Sequence, residues 1–394
     1  MLKKIGISAA EWLYLLSHPA HCRLVARDLG GRLPGPQADA LHLQGALDWL
    51  CRAQDTTGCG GVSAGYFLRA GWGHPYPETT GYIIPTFLDA AAALGREEYR
   101  QRARRMGDWE IEVQLPSGAV RGGRGRLDRP GVPIVFNTGQ VLQGWTALYR
   151  TTGQERYGQA ARRAADWLAG VQEADGSWCR HTYGGSPRTY HARVAWALLQ
   201  AHRETGDPAH RRAGEDNVEW VLRQAGPDGW IPAMELEPGQ PPPTHTIAYT
   251  LRGLLEAASE LGGETAARAL DLVRRASTSL LQAAPASAVL PGSFAARWRP
   301  ATPSSCLTGS AQLALVWLRL EALCGDRSFR AAALQLVEQV KAAQPLQARH
   351  PGIQGGVPGS YPLWGAYLPY ALPNWAAKFL VDVLLCKQHL LAGA

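Results

Sequence analysis

Six short segments place polar groups where apolar helices are expected to begin. They are Pro77-Glu78-Thr79-Thr80-Gly81-Tyr82, Phe136-Asn137-Thr138-Gly139-Gln140, Tyr190-His191-Ala192-Arg193, Thr244-His245-Thr246, Cys306 to Gln312, and Pro373-Asn374-Trp375. Removing the proton next to a uronate carboxyl needs a base, groups that neutralise the carboxylate, and an acid for the leaving oxygen. His191, His245, Tyr82 and Tyr249 offer acid and base; Asn137, Gln140 and Arg193 offer the carboxylate clamp. That set suits β-elimination or C5 epimerisation, which share one stabilised carbanion. Glycoside hydrolysis instead uses two carboxylates. Glu78 lies in the set, and Asp128, Asp228, Glu235 and Glu237 are candidate seconds from loops. The catalytic candidates are therefore Glu78, His191, His245 and Tyr249. A reading from another class is a non-catalytic sugar-binding protein in polysaccharide assembly.

Blander roles compete for the same residues. Thr79, Asn137, Thr244 and Ser304 are residue types that cap helix N-termini, and Glu78 in a first turn would favour the helix dipole. The two histidines stand at matching places in successive units, which is harder to assign to packing alone.

Aromatic residues crowd the segments between helices: Trp72, Tyr76, Trp178, Tyr183, Trp230, Trp298, Tyr361, Trp364, Tyr367 and Tyr370. Flat apolar rings are platforms for sugar faces. The stretches His74–Tyr82 and Tyr361–Trp375 are the densest, so Tyr76, Trp364, Tyr367, Asn374 and Trp375 join Tyr82, Asn137, Gln140, Arg193, Trp178 and Trp230 as substrate-binding candidates. The loop Arg121-Gly-Gly-Arg124-Gly-Arg126-Leu-Asp-Arg129 supplies guanidinium groups, and Arg124 is the candidate clamp for an anionic sugar.

The elements that must position these residues come as an internal repeat. Trp49 to Gln54, Trp109 to Gln114, Trp167 to Gln172 and Trp220 to Gln224 share a pattern, each followed by a glycine at 58, 118, 176 or 229. Degenerate copies end at Gln282 and Gln344, and the Gln-to-Gln steps are 60, 58, 52, 58 and 62 residues. Each unit reads as an amphipathic helix ending at the Gln, as over Ala160–Gln172, then a Gly-rich turn, then a more apolar helix such as Ala192–Glu204 with a stop at Thr205-Gly206-Asp207. A solenoid needs polar capping repeats, yet the last unit, Leu368–Leu385, is as apolar as the middle ones. The sequence therefore predicts an all-α closed (α/α)6 toroid over 39–394, six helical hairpins around a central cavity. Residues 1–38 form an N-terminal helical extension, with one helix over Ala9–Leu29 covering one end of the barrel.

The Gln-x-x-x-Gly-x-Trp run at Gln172–Trp178 resembles the repeat of terpene cyclases and prenyltransferase β subunits. That resemblance implies fold and no more, because neither the Asp-x-Asp-Asp nor the Asp-Asp-x-x-Asp motif of those enzymes is present. Pro77–Tyr82 and Leu368–Leu385 resemble a bacterial family of carbohydrate-active toroids associated with polysaccharide loci. Trp178-Cys179 is similar to part of the zinc motif of lanthionine cyclases, but Leu307 follows Cys306 where those enzymes have a His. No metal is expected, and without a phosphate-binding glycine loop no nucleotide cofactor.

The 394 residues, 46% hydrophobic and 19% charged, suffice for a large core. Seven widely spaced cysteines without Cys-x-x-Cys point to a reducing compartment, and Met1 to Glu11 does not read as a signal peptide, so the expected location is cytoplasmic. No apolar run reaches membrane-spanning length. The net charge of +7 favours an anionic partner; the polysaccharide or oligosaccharide is expected to be acidic, and no nucleic-acid motif is found.

Overall fold

The computed structural model describes residues 9–31, 33–123, 131–283 and 289–392. The single helix expected over Ala9–Leu29 is two: α1 (Ala9–Leu16) and α2 (Pro19–Leu29). Pro19 is the reason, because proline lacks the N–H that a continuous helix needs but is well placed in a first turn.

Twelve further helices follow among the described residues. They are α3 (Asp39–Asp55), α4 (Pro77–Leu94), α5 (Glu97–Val113), α6 (Val135–Thr152), α7 (Glu155–Gly170), α8 (Ala192–Thr205), α9 (Pro208–Gln224), α10 (Thr244–Leu261), α11 (Gly263–Ala283), α12 (Leu307–Cys324), α13 (Arg327–Ala343) and α14 (Asn374–Ala392). The even-numbered helices from α4 to α14 each pack on the next, and α14 packs back on α4. The odd-numbered helices lie outside them, with α3 paired to α14. The chain is thus an all-α (α/α)6 toroid, as its repeat predicts.

Inner and outer helices differ as their sequences require. In α7 the buried residues are Tyr157, Ala160, Ala161, Ala164, Ala165 and Leu168, one stripe at helical spacing. In α12 nearly every residue from Leu307 to Leu318 is buried. The ring is drawn tight by small residues: a Cβ on Gly81 of α4 would stand 2.5 Å from Val141 Cα of α6.

The repeated glutamine holds outer helices together. The Gln114 side-chain amide donates to Gly118 O (2.8 Å) in its own turn and to Ala160 O (3.1 Å) of α7. Gln172 does the same with Gly176 O (3.1 Å) and Ala213 O (2.8 Å) of α9. It lies just beyond α7, which stops at Gly170 rather than continuing to the glutamine. Gln344 closes the circle, donating to Gly355 O (2.7 Å) and accepting from His42 Nδ1 of α3 (2.6 Å). The Thr205-Gly206-Asp207 stop also forms: Gly206 takes the left-handed φ of 72° and Asp207 caps α9 through Ala209 N.

Short strands bind the connections at the end where inner helices start. Gly65–Phe67 pairs with Gly71–Trp72 and with Ala371–Pro373, which runs straight into α14. Ser305–Cys306 pairs with Ser360–Tyr361. Outside this layer lies α2: His21 Nε2 meets Tyr66 Oη (3.0 Å), and Asp28 accepts from Leu363 N (2.7 Å). No described helix is long and apolar enough to cross a membrane.

Candidate active site

The starts of α4, α6, α8, α10 and α14 converge on one cavity of about 160 Å³, while that of α12 does not line it. It is lined by Tyr76, Glu78, Tyr82, Phe136, Tyr183, Tyr190, Leu236, His245, Thr246, Tyr249, Tyr367, Leu368 and Trp375. Of the sequence candidates, Glu78, His245, Tyr249, Tyr76, Tyr82, Tyr367 and Trp375 meet here.

An aromatic belt runs around it. Tyr76 stands edge-on to Trp375 (centroids 6.3 Å), and Trp375 Nε1 donates to Tyr367 Oη (2.9 Å). Tyr367 neighbours His245 (5.3 Å), His245 neighbours Tyr249 (4.2 Å), and Phe136 touches both Tyr249 and Tyr190 (5.2 Å each). The belt surrounds one polar centre with aromatic rings.

That centre is Glu78, the only carboxylate lining the cavity among the described residues. It sits in the first turn of α4, nearly buried, and accepts a short hydrogen bond from Tyr76 Oη. Burial, then the negative charge of Glu78, hold the Tyr76 phenol well above its ordinary pKa, so Tyr76 stays a donor. Tyr183 extends the chain of hydroxyls: it donates to Asn137 Oδ1 (3.1 Å) and accepts from Gly123 N (3.1 Å).

His245 is the second residue of α10 and is buried against the belt. Burial, with the charge of Arg193 adding to it, lowers its pKa to about 3, so the imidazole is neutral. The Gln312 amide nitrogen lies 2.7 Å from His245 Nδ1 and 3.4 Å from Thr308 O. The Thr308 carbonyl can only accept, which fixes nitrogen on that side of the amide. Nδ1 therefore accepts and the proton sits on Nε2.

Other candidates lie behind the wall. Arg193 is buried beneath the cavity, donating to Gln140 Oε1 (2.9 Å) and Gln143 Oε1 (3.3 Å), with its guanidinium over the Tyr249 ring (4.8 Å). Gln140 Oε1 is taken up by that contact, and Asn137 by Arg121 O (3.1 Å) and Tyr183. Asn374 donates to Ser63 O and Thr79 Oγ1, both at 2.8 Å. His191 lies outside the lining, packed against Phe136, Trp178 and Tyr190, its pKa lowered to about 3 by burial and then Arg188. It is the residue before α8 rather than inside it. His191 stands two positions earlier relative to its helix than His245 does, and each step along a helix turns a side chain by about 100°, so the two face different surroundings and Tyr190 lines the cavity instead.

Three tryptophans stand apart from the cavity. Trp178 is fully buried and donates to Leu168 O (2.9 Å); Trp230 packs edge-on to Trp298 (5.0 Å); Trp364 packs on the core. Arg124 and Asp128 lie outside the described residues. Glu235 is paired with Arg188, and Asp228 accepts from Trp230 N (3.1 Å) in its own turn.

The four expected caps do not cap. The residues before α4, α6 and α10 are Tyr76, Ile134 and Pro243, and Cys306, not Ser304, caps α12 through Gly309 N (3.4 Å). Thr80 and Thr138, one turn inside, instead accept from Val62 N and Val120 N (2.9 Å each), pinning each connection to its helix. Phe136, Tyr183, Tyr190, Leu236, Thr246 and Leu368 line the cavity without having been chosen as site residues. Tyr190 carried a signal, since it stands just ahead of α8, two residues before Ala192, as Tyr76 stands immediately ahead of α4.

The fold is shared with carbohydrate-active toroids of several reaction classes. No known family profile matches the chain, and no curated protein matches it by sequence. Among solved structures it is similar to an unsaturated glucuronyl hydrolase specific for heparin, with a TM-score of 0.71 and 15% identity over 90% of this chain and 99% of that one. It is also similar to cellobiose 2-epimerase from Bacillus thermoamylovorans, with a TM-score of 0.67 and 10% identity over 92% of this chain and 98% of that one. A polysaccharide lyase matches with a TM-score of 0.64 and 11% identity over 91% and 99% of the two chains.

Proposed function

We propose that this protein is a carbohydrate-active enzyme that holds one sugar ring in the aromatic cavity and uses Glu78 as its acid–base group. The observation that carries the reading is that, among the described residues, a single carboxylate lines the cavity inside a belt of seven rings, Tyr76, Trp375, Tyr367, His245, Tyr249, Phe136 and Tyr190. Such walls exclude water and strengthen each charge and dipole within. The favoured reaction is proton abstraction from a sugar carbon next to a carbonyl or carboxyl. Glu78 takes the proton, and the neutral His245 donates from Nε2–H to the oxygen that gains charge. Lyases and epimerases both run through that step. Hydrolysis by paired carboxylates has less support, because no second carboxylate lines the cavity among the described residues.

The same lining holds no lysine or arginine among the described residues, which favours a ring without a carboxylate at its centre. An acidic sugar remains the second reading, supported by the net charge of +7.

Proton NMR of neutral and acidic oligosaccharides incubated in deuterated water tests the proposal. Loss of one carbon-bound proton signal, with or without new vinyl signals, supports proton abstraction and separates epimerase from lyase. New reducing ends without exchange would move the chemistry to hydrolysis at Glu78. Binding without turnover would leave a sugar-binding protein.

A further inference from the structure

A larger cavity, about 300 Å³, lies outside the ring at its seam. It is walled by α2, the residues after it (Pro34, Gly35, Gln37), the first turn of α3 and the end of α13 with its following loop. It shares no lining residue with the Glu78 cavity.

Its charge is one-sided. Arg23, Arg27, Lys341 and Arg349 line it, and among the described residues no carboxylate does. Two of these cations are answered from behind. Arg27 pairs with Asp28 (2.7 Å), and Lys341 with Asp39 (2.6 Å) and Glu338 (2.9 Å), a cluster that Lys387 also joins at Asp39 (2.6 Å). Arg23 and Arg349, both exposed, meet no carboxylate among the described residues. The His42 imidazole is already satisfied by Gln37 N (3.0 Å) and Gln344 Oε1 (2.6 Å), so it is wall rather than ligand. Between the arginines the wall is apolar: Ala20, Leu24, Pro345, Leu346 and Ala348.

A concave site with an apolar wall and two unanswered guanidiniums fits a small organic anion. We propose that this cavity is a second binding site, for a phosphate- or carboxylate-bearing small molecule. Its anionic group sits between Arg23 and Arg349, and its body lies on the Leu24–Leu346 wall. Guanidinium forks match both anion geometries, so the two chemistries share the site. The occupant would bridge α2 to the Gln344–His42 closure of the ring.

Saturation-transfer NMR and calorimetry on the full chain test it, with glucose 6-phosphate, glucuronate, inorganic phosphate and neutral glucose as probes. The expected result is binding of glucose 6-phosphate or glucuronate that a double variant, Arg23→Gln with Arg349→Gln, weakens at least about tenfold, and that Glu78→Gln leaves unchanged. Tighter binding of one anion than the other identifies which group the site takes. Both arginines are exposed, so the double variant should fold; Arg23→Lys with Arg349→Lys gives partial retention as a charge-conserving check. Absence of binding by every anionic probe, or binding that the double variant leaves intact, overturns the proposal. Loss in Glu78→Gln alone would place the anion in the other cavity and overturn it equally.

Discussion

The Gln312 amide nitrogen lies 2.7 Å from Nδ1 of His245, and that one bond decides what the histidine offers. With Nδ1 accepting, Nε2 carries the proton, and burial keeps the ring neutral with a pKa of about 3. In the proposed reaction His245 would then serve as a hydrogen-bond donor, being a poor base.

Gln312→Leu should free the tautomer and lower kcat by about 10–100-fold with a smaller change in KM, as loss of one oriented donor does. Gln312→Glu should raise the His245 pKa toward the neutral range and put a new limb in the pH–rate profile. Nitrogen-15 chemical shifts of His245 check the tautomer directly. A His245 resonance that titrates between pH 5 and 8 in the parent protein would contradict this assignment.

Glu78→Gln keeps shape and polarity but removes the acid–base group. It should lower kcat by about 10²–10⁴-fold while substrate still binds. Trp375→Phe should act differently, because it removes the bond to Tyr367 Oη (2.9 Å) that fixes the belt. Its expected effect is a raised KM with kcat changed less. Steady-state kinetics of both variants, beside binding followed by tryptophan fluorescence, separate the two roles.

The repeat was legible because one physical task recurs: Gln114 and Gln172 each bridge their own turn to the next outer helix. The site was legible only as six helix starts. Which side chain turns inward depends on where each helix begins, to a single residue. His245, inside α10, reaches the cavity, while His191, one residue before α8, is buried behind it. Arg193 reads as a carboxylate clamp in sequence, yet Gln140 and Gln143 occupy its guanidinium. Those partners sit 53 and 50 residues away, a pairing that no local pattern encodes.

Acid should weaken the fold. His191 and His245 have pKa values lowered from 6.5 to about 3, so each binds fewer protons folded than unfolded. Stability is then full above pH 6.5 and falls as pH drops toward 3. Each fully buried histidine contributes a slope of about 1.4 kcal/mol per pH unit in that window. Asp89, pushed up to about 6 by burial and then Asp382, works the other way and gains stability as pH falls through its range. The histidine slope is therefore read as a difference. Urea unfolding of the parent and of His191→Phe at pH 7 and pH 5 should show the variant losing less stability, by about 2 kcal/mol, because only the part of that interval below pH 6.5 carries the slope. Equal losses would mean that His191 does not titrate as its burial requires.

Ring closure gives the sharpest stability contrast. Gln172 bridges α7 and α9 within the run of the repeat, whereas Gln344 joins the last hairpin to the first. Gln344 serves three buried groups: it accepts from His42 Nδ1 (2.6 Å) and donates to Gly355 O (2.7 Å) and His42 O (3.3 Å). Gln344→Ala leaves all three without this partner, and each buried polar group so stranded costs about 1–3 kcal/mol. Gln172→Ala removes one donor from Gly176 O and one from Ala213 O, but Asn217 Nδ2 still donates to Gly176 O (2.9 Å), and Ala213 O lies inside α9, whose ladder still serves it. The expected order of urea midpoints is parent, then Gln172→Ala, then Gln344→Ala, with the larger gap before the last. Glu78 chemistry should survive in both, because neither glutamine lines its cavity. If Gln344→Ala proves no worse than Gln172→Ala, the seam is held by the packing of α14 on α3 and α4, and the glutamine is only one bridge among equals.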